Sequence, residues 1–525
     1  MTEPASLGLA AATVEQPLPV PGRALVRNTL LNFAGLGVPL LVALATIPFL
    51  VRRLGESRFG VLSVDWIILN SAPIFDLGLG RAVRKRVAEA LGTAHHERVA
   101  SITWTAVLAQ CLSGTLGMLA LAALASPLVE HILNIPPELR SEARTTFYLV
   151  AGAIPLIVLT DTFCGVLEAA QRFDLVNAIR VPFHLALALA PLIGALLGWT
   201  LTGIATLLLL SAAAILALQF LLSTHVFPSL RQWPRPSLGE LRALLRFGRW
   251  IAVSNVVGPI LVYLDRFVVG VLLPMTAVAH YAAPYELVTH LSLLPASLAA
   301  TLFPAFSALR AQARLEQMQA YASRSVKYLL LLLGPVILLT VAFSPDIIAA
   351  WVGPTFGEDS SRALRLLAIG VLLNALAQVP YSVVQAGGRP DLTAKFHLLE
   401  LPLHAVAAFA LVWAWGVPGA ALAWTLRVLL DTVLLFAAAA RLGGLRLSVP
   451  SRERLVYAGA FALLGLIAAG APLVLATGWL RFAVPGAMGL AAGGALWRCV
   501  LDEHDRAHVL QLFGRSPAMT ERSTS

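Results

Sequence analysis

Apolar runs long enough to cross a bilayer follow one another through this chain almost without pause. Each crossing needs about 20 residues, and spans are expected to begin near residues 26, 59, 101, 143, 177, 201, 246, 276, 325, 362, 395, 417, 455 and 480. A water-soluble core has no use for so many. With 58% hydrophobic residues and a mean hydropathy of +0.80, the chain reads as an all-α polytopic membrane protein of about 14 transmembrane helices.

The spans repeat. Val166 to Leu175 (VLEAAQRFDL) is echoed 217 positions later by Val383 to Leu392 (VVQAGGRPDL). Arg172 matches Arg389, Asp174 matches Asp391, and Glu168 faces Gln385. These matches carry weight because only 13% of the residues are charged. Gly198 to Gly203 opens span six as Gly416 to Gly419 opens span twelve, and Asn32 in span one corresponds to Asn255 in span seven. Each half holds an even number of spans, so the halves enter the membrane from the same side and form two parallel six-helix lobes. The expected organisation is a disordered cytoplasmic tail (1–22), an N-lobe (23–226), a cytoplasmic linker (227–245), a C-lobe (246–441), an appended hairpin of spans thirteen and fourteen (442–500) and a cytoplasmic tail (501–525).

A formal charge of +10 invites a nucleic-acid reading, but its distribution argues for topology. Most of the 38 Lys and Arg residues fall on one side, among them Arg81, Arg84, Lys85 and Arg86, then Arg172, Arg310 and Arg389. This is the positive-inside pattern. It places both termini in the cytoplasm. No connection can hold a soluble catalytic domain, and no phosphate-cradling loop, His-Glu-x-x-His or nucleophile elbow is present. Gly78 to Gly80 reads as a span end turning into a loop. Cys111, Cys164 and Cys499 fit no metal spacing and read as packing residues.

Spans one and seven are interrupted at matching places, by Gly35, Gly37 and Pro39 and by Gly258 and Pro259. Proline removes a backbone donor, so both helices are expected to bend or unwind, and paired interruptions in two repeats point to a transport site. Intramembrane charge is costly and normally faces a cavity or a partner. The candidates for a substrate cavity are Asn32, Asp65, Asp76, Asn255, Asp265 and Arg266. Asp65 and Asp76, eleven residues apart, would share one helix face. Glu286 and His290, at i,i+4, are candidates for ion coupling or for a structural hydrogen bond. Glu400 and His404 share that spacing, with Glu400 near the inner end of its span. Arg427 and Asp431 read most simply as an intrahelical ion pair.

The chain resembles the polysaccharide-transporter family of oligosaccharide flippases, within the multidrug/oligosaccharidyl-lipid/polysaccharide exporter superfamily. The resemblance is carried by Pro48 to Gly55 with Phe59 and Gly60, and by Asp76 to Gly80 before a basic stretch. It continues through Asp265 with Tyr281 to Tyr285, Leu302 to Leu309, Ser344 to Ile348, Trp351 to Pro354 and Ala386 to Arg389.

That resemblance implies transport without chemistry. The substrate would be an undecaprenyl-diphosphate-linked sugar repeat unit, moved from the cytoplasmic to the periplasmic leaflet. Two lobes would rock about a cavity lined by spans one, two, seven and eight, and the extra hairpin would hold the polyprenyl tail. No cofactor is expected beyond coupling to a proton or sodium gradient. The expected partners are the lipid-linked oligosaccharide, the bilayer, and the polysaccharide polymerase and export machinery, with no nucleic acid. A sugar diphosphate cannot cross hydrocarbon unaided, so a wet, partly cationic cavity is needed. The alternatives are a proton- or sodium-coupled multidrug antiporter of the same superfamily, and a membrane glycan polymerase or ligase.

Overall fold

A computed structural model describes residues 42–443, apart from 43, 94, 233 and 234. Asn32, Pro39 and the appended hairpin lie outside the described residues. Within them every element is helical, and ten helices are long and apolar enough to cross a membrane.

Residues 44–54 are helical (α1). The second span comprises α2 (Glu56–Asn70) and a 3₁₀ turn (Ala72–Asp76), and the basic helix α3 (Leu79–Gly92) follows it. Then come α4 (Glu97–Pro127), α5 (Pro137–Ala169), α6 (Phe173–Leu196) and α7 (Leu201–Val226), completing the first lobe. The second contains α8 (Leu238–Leu272), α9 (Met275–Thr289) with α10 (Leu293–Ala311), and α11 (Leu315–Ala342) with α12 (Ser344–Trp351). It ends with α13 (Gly357–Ala386), α14 (Pro390–Trp415) and α15 (Val417–Gly443).

Four expectations need correction here. The second apolar span does end just before Gly78, at Asp76, but no loop follows: Gly78 adopts a left-handed φ of 71° and caps α3, which carries the basic residues onward as a helix. The 3₁₀ turn that follows α2 at Ala72 also breaks the 3.6-residue period, so Asp65 and Asp76 do not share one continuous helix face. Further on, α8 begins at Leu238, within the stretch read as linker, and runs without a break through Gly258 and Pro259. Pro259 bends the bonding pattern rather than unwinding the helix, because only the carbonyl four residues back, at Asn255, loses its donor.

The repeat is visible in the backbone. After α5, the amides of Ala170, Gln171 and Arg172 bond Val166, Glu168 and Leu167; after α13, those of Gly387, Gly388 and Arg389 bond Val383, Gln385 and Val384. Arg172 closes onto Asp174 at 2.7 Å and Arg389 onto Asp391 at 2.9 Å. Both turns lie at the end of the molecule that bears the basic connections.

The lobes meet differently at their two ends. Away from the basic end, one apolar core joins Phe59, Leu62 and Phe147 of the first lobe to Val268, Met275, Phe356, Leu367 and Trp424 of the second. At the basic end the cores are separate: Leu79, Val83, Ile102 and Leu230 in the first lobe, Phe306, Leu333 and Val379 in the second. Lipid is as apolar as leucine, so such contacts stabilise through close packing rather than expulsion of water. Gly60 shows how close: a Cβ there would sit 2.1 Å from the Met275 carbonyl oxygen. Polar bonds seal the same end. Asn134 bonds the carbonyls of Gly270 (2.9 Å) and Val271 (2.7 Å), Trp351 donates to Leu44 O at 3.0 Å, and His280 lies 3.0 Å from Glu56.

Candidate functional site

Helix α8 is shared between the lobes. Its first turns belong with the first lobe: Leu244 joins that core, and Glu240 bridges Arg86 (2.7 Å) and Arg98 (2.5 Å). Its later part packs with the second lobe through Val268 and Val269. The polar residues along α8 therefore lie where the lobes join.

The first polar node is Asp76, which is buried. Its Oδ1 accepts the Gly80 amide (3.0 Å) and the Gln110 amide (2.5 Å), so it compensates the positive start of α3. Its Oδ2 accepts Asn255 Nδ2 from across the lobe boundary at 3.3 Å. Arg81, one turn further along α3, donates to Asn255 Oδ1 at 3.2 Å. Thr162 completes the chain by bonding Gln110. Of the predicted cavity residues, Asp76 and Asn255 are thus brought together, with Arg81 beside them. Arg81 is exposed and makes no ion pair among the described residues. Against this node, within the first lobe, lies a mainly apolar cavity of about 210 Å³ whose polar lining is Asp76, Thr160, Asp161 and Gln219, roomy enough for water.

The second node is Arg266, 2% exposed. Its guanidinium meets Glu286 at 3.1 Å and stacks over the Tyr285 ring at 3.9 Å, and its cation–π contact extends to Tyr263 at 5.5 Å. Asp265, fully buried, accepts the Tyr281 hydroxyl and the Arg266 amide. The Arg266 guanidinium is thus already partnered within the node. His290 stands 3.9 Å from Glu286, too far for a hydrogen bond, so Glu286 is Arg266's partner first. Asp65 is placed apart from both nodes, 1% exposed with neither carboxylate oxygen hydrogen-bonded.

A third cluster regroups residues that the sequence pattern had paired otherwise. Arg427 reaches across to Glu400 on α14 at 3.4 Å, in place of an intrahelical bond to Asp431. Glu400 is fully buried rather than near interfacial water. His397, Glu400 and Asp431 place their ligand atoms within 4.8 Å of one another. His397 escaped the sequence reading, although its three-residue spacing to Glu400 puts both on one helix face.

Two lobes of helices, joined in one core at one end and separate at the other, with polar nodes along a shared helix, define a two-lobed membrane transporter. The chain belongs to the polysaccharide-transporter family of the multidrug/oligosaccharidyl-lipid/polysaccharide exporter superfamily: residues 25–310 match the family described as "Polysaccharide biosynthesis protein", and residues 251–410 match MatE. It is 30% identical over 412 residues to a candidate O-antigen transporter of Shigella flexneri, covering 78% of this chain and 96% of that one. A candidate low-salt glycan biosynthesis flippase of Haloferax volcanii is 24% identical over 432 residues, covering 78% and 82%. The fold resembles an inward-facing multidrug-resistance MATE transporter (TM-score 0.69, 16% identity, 81% of this chain and 99% of the other). It also resembles the lipid II flippase MurJ in an inward closed conformation (TM-score 0.66, 12% identity, 90% and 100%).

Proposed function

We propose that this protein flips undecaprenyl-diphosphate-linked oligosaccharide repeat units between membrane leaflets by alternating access, for surface polysaccharide synthesis. The basic end faces the cytoplasm of a bacterial inner membrane, with both termini on that side. The observation that carries the reading is Arg81. It is an exposed guanidinium at the lobe boundary, on the side where the two cores are separate, and it donates to the neutral amide of Asn255. Such a group can meet a diphosphate with charge-assisted bonds, while the lipid tail stays in the bilayer. Arg266 is committed to Glu286 and Tyr285, so its role is to hold α8 against α9. A gradient of protons or sodium ions drives the cycle, and a polymerase receives the product.

Deleting the gene tests this directly. Lipid-linked oligosaccharide is expected to accumulate in the cytoplasmic leaflet. If none accumulates and secreted polysaccharide is unaltered, the reading fails. The MatE match over residues 251–410 favours drug antiport as the second reading, which gradient-driven uptake of a fluorescent cation would support.

A further inference from the structure

We infer that a proton-binding site lies between α14 and α15, formed by Glu400, Asp431 and His397 around Arg427, and that its proton drives transport. The second clause rests on the transporter reading above; the site itself does not.

The groups face one another from two helices. The ligand atoms of His397, Glu400 and Asp431 lie within 4.8 Å of one another. Arg427 Nη1 stands 3.4 Å from Glu400 Oε2. Glu400 is 0% exposed and its Oε1 has no hydrogen-bond partner. One turn on, His404 is buried with both ring nitrogens unbonded. From α8, Asp265 lies within electrostatic range of Arg427, but its oxygens already accept Tyr281 and the Arg266 amide. Helix α13 carries its charges, Glu358 to Arg365, in its first turns at the far end.

The charges do not balance. Two carboxylates face one guanidinium, and a buried charge without a counter-charge in a membrane is costly. The cluster needs one further positive charge. A metal dication would have to sit beside the fixed charge of Arg427. Sodium prefers hard oxygen donors to the imidazole of His397. A proton needs no coordination shell, and His397 and either carboxylate can exchange it. The unbonded Glu400 Oε1 is the natural resting place.

Infrared difference spectra of the purified full chain, taken between acid and alkaline buffer, test the site without any substrate. A protonated-carboxyl C=O band that vanishes on alkalinisation is expected in the wild type. Glu400→Gln should lose that band and Asp431→Asn should shift or lose it, while Glu358→Gln should keep it. Sodium or zinc chloride at constant pH should leave it unchanged. A band that either metal removes makes the occupant a metal ion and overturns the proposal. Wild-type spectra preserved in both Glu400→Gln and Asp431→Asn overturn it too. For the driving role, export in a Glu400→Gln strain should lose its sensitivity to a protonophore. Retained sensitivity there, with lipid-linked oligosaccharide still accumulating on gene deletion, removes the driving role and leaves the flippase reading standing.

Discussion

Gln171 and Gly388 occupy the same position in two copies of one helix-ending turn, with φ of 56° and 70°. Their amides accept the same duty, bonding Glu168 and Gln385 at 3.0 Å each. The two residues differ in what that backbone costs. A left-handed residue with a side chain is strained by about 1 kcal/mol relative to glycine. Gln171→Gly is therefore expected to raise the thermal midpoint of the detergent-solubilised protein, and Gly388→Gln to lower it by a similar amount. Equal midpoints for all three proteins would show that the turn does not limit unfolding.

The approach of α2 to α9 yields a second prediction. A methyl group at Gly60 would stand 2.1 Å from Met275 O, and the contacted atom is backbone, which cannot rotate aside. Gly60→Ala should cost about 1–3 kcal/mol, as overpacking of a tight contact does. The strain falls on the core that joins the lobes, so it should also favour separation at that end. A cysteine placed at His280, beside Glu56, should then react faster with a membrane-impermeant thiol reagent. Unchanged melting and unchanged labelling would show that the helices can part by this much freely.

Much of this architecture is legible in the chain. The repeat around Arg172 and Arg389 returns as two turns with the same hydrogen bonds and ion pair, because local hydrogen bonding and short charge pairs are written within ten residues. Asp76 and Asn255 were each recognisable as polar residues in apolar surroundings, and the structure joins them. What the chain conceals is partnership between helices. Spacing along α15 pairs Arg427 with Asp431, yet Glu400 of α14 is the partner met. Spacing from α9 into the turn after it pairs Glu286 with His290, yet Arg266 of α8 lies nearer. A one-helix pattern records which residues share a face, and only the packing decides what that face meets. The break at Gly78 is legible from its glycines, whereas the helix α3 that resumes after it is not.

Arg81 and Arg266 should respond to substitution in opposite ways. Losing one charge-assisted hydrogen bond to a diphosphate costs about 1.5–3 kcal/mol, or roughly tenfold and more in apparent affinity. Arg81→Ala should thus depress polysaccharide export by about tenfold at normal protein abundance. Arg266→Ala leaves Glu286 without its partner, and breaking a buried pair costs about 3–5 kcal/mol. Its effect should appear as reduced abundance, relieved in part by combining Arg266→Met with Glu286→Gln. If Arg266→Ala protein is abundant yet inactive, and Arg81→Ala is fully active, the roles assigned to the two arginines are reversed.

The clasp at Glu240 makes stability depend on acid in a defined direction. Burial opposes the charged form of this carboxyl, but hydrogen bonds from Arg86 and Arg98 outweigh it and hold the group below the usual glutamate range. An unfolded glutamate titrates near about 4.3. The folded group therefore binds its proton less readily than the unfolded one, and its contribution is complete above that pH. It fades as the pH falls through the lower folded value, where protonation breaks the bonds at 2.7 and 2.5 Å. Glu240→Gln should lower the thermal midpoint at neutral pH, because an amide meets the two guanidinium groups without charge. Between about pH 5 and pH 3 the wild type should lose more stability than the variant, so that the two melting curves converge. Parallel curves across that range would mean that the start of α8 is held to the first lobe by the packing of Leu244 alone.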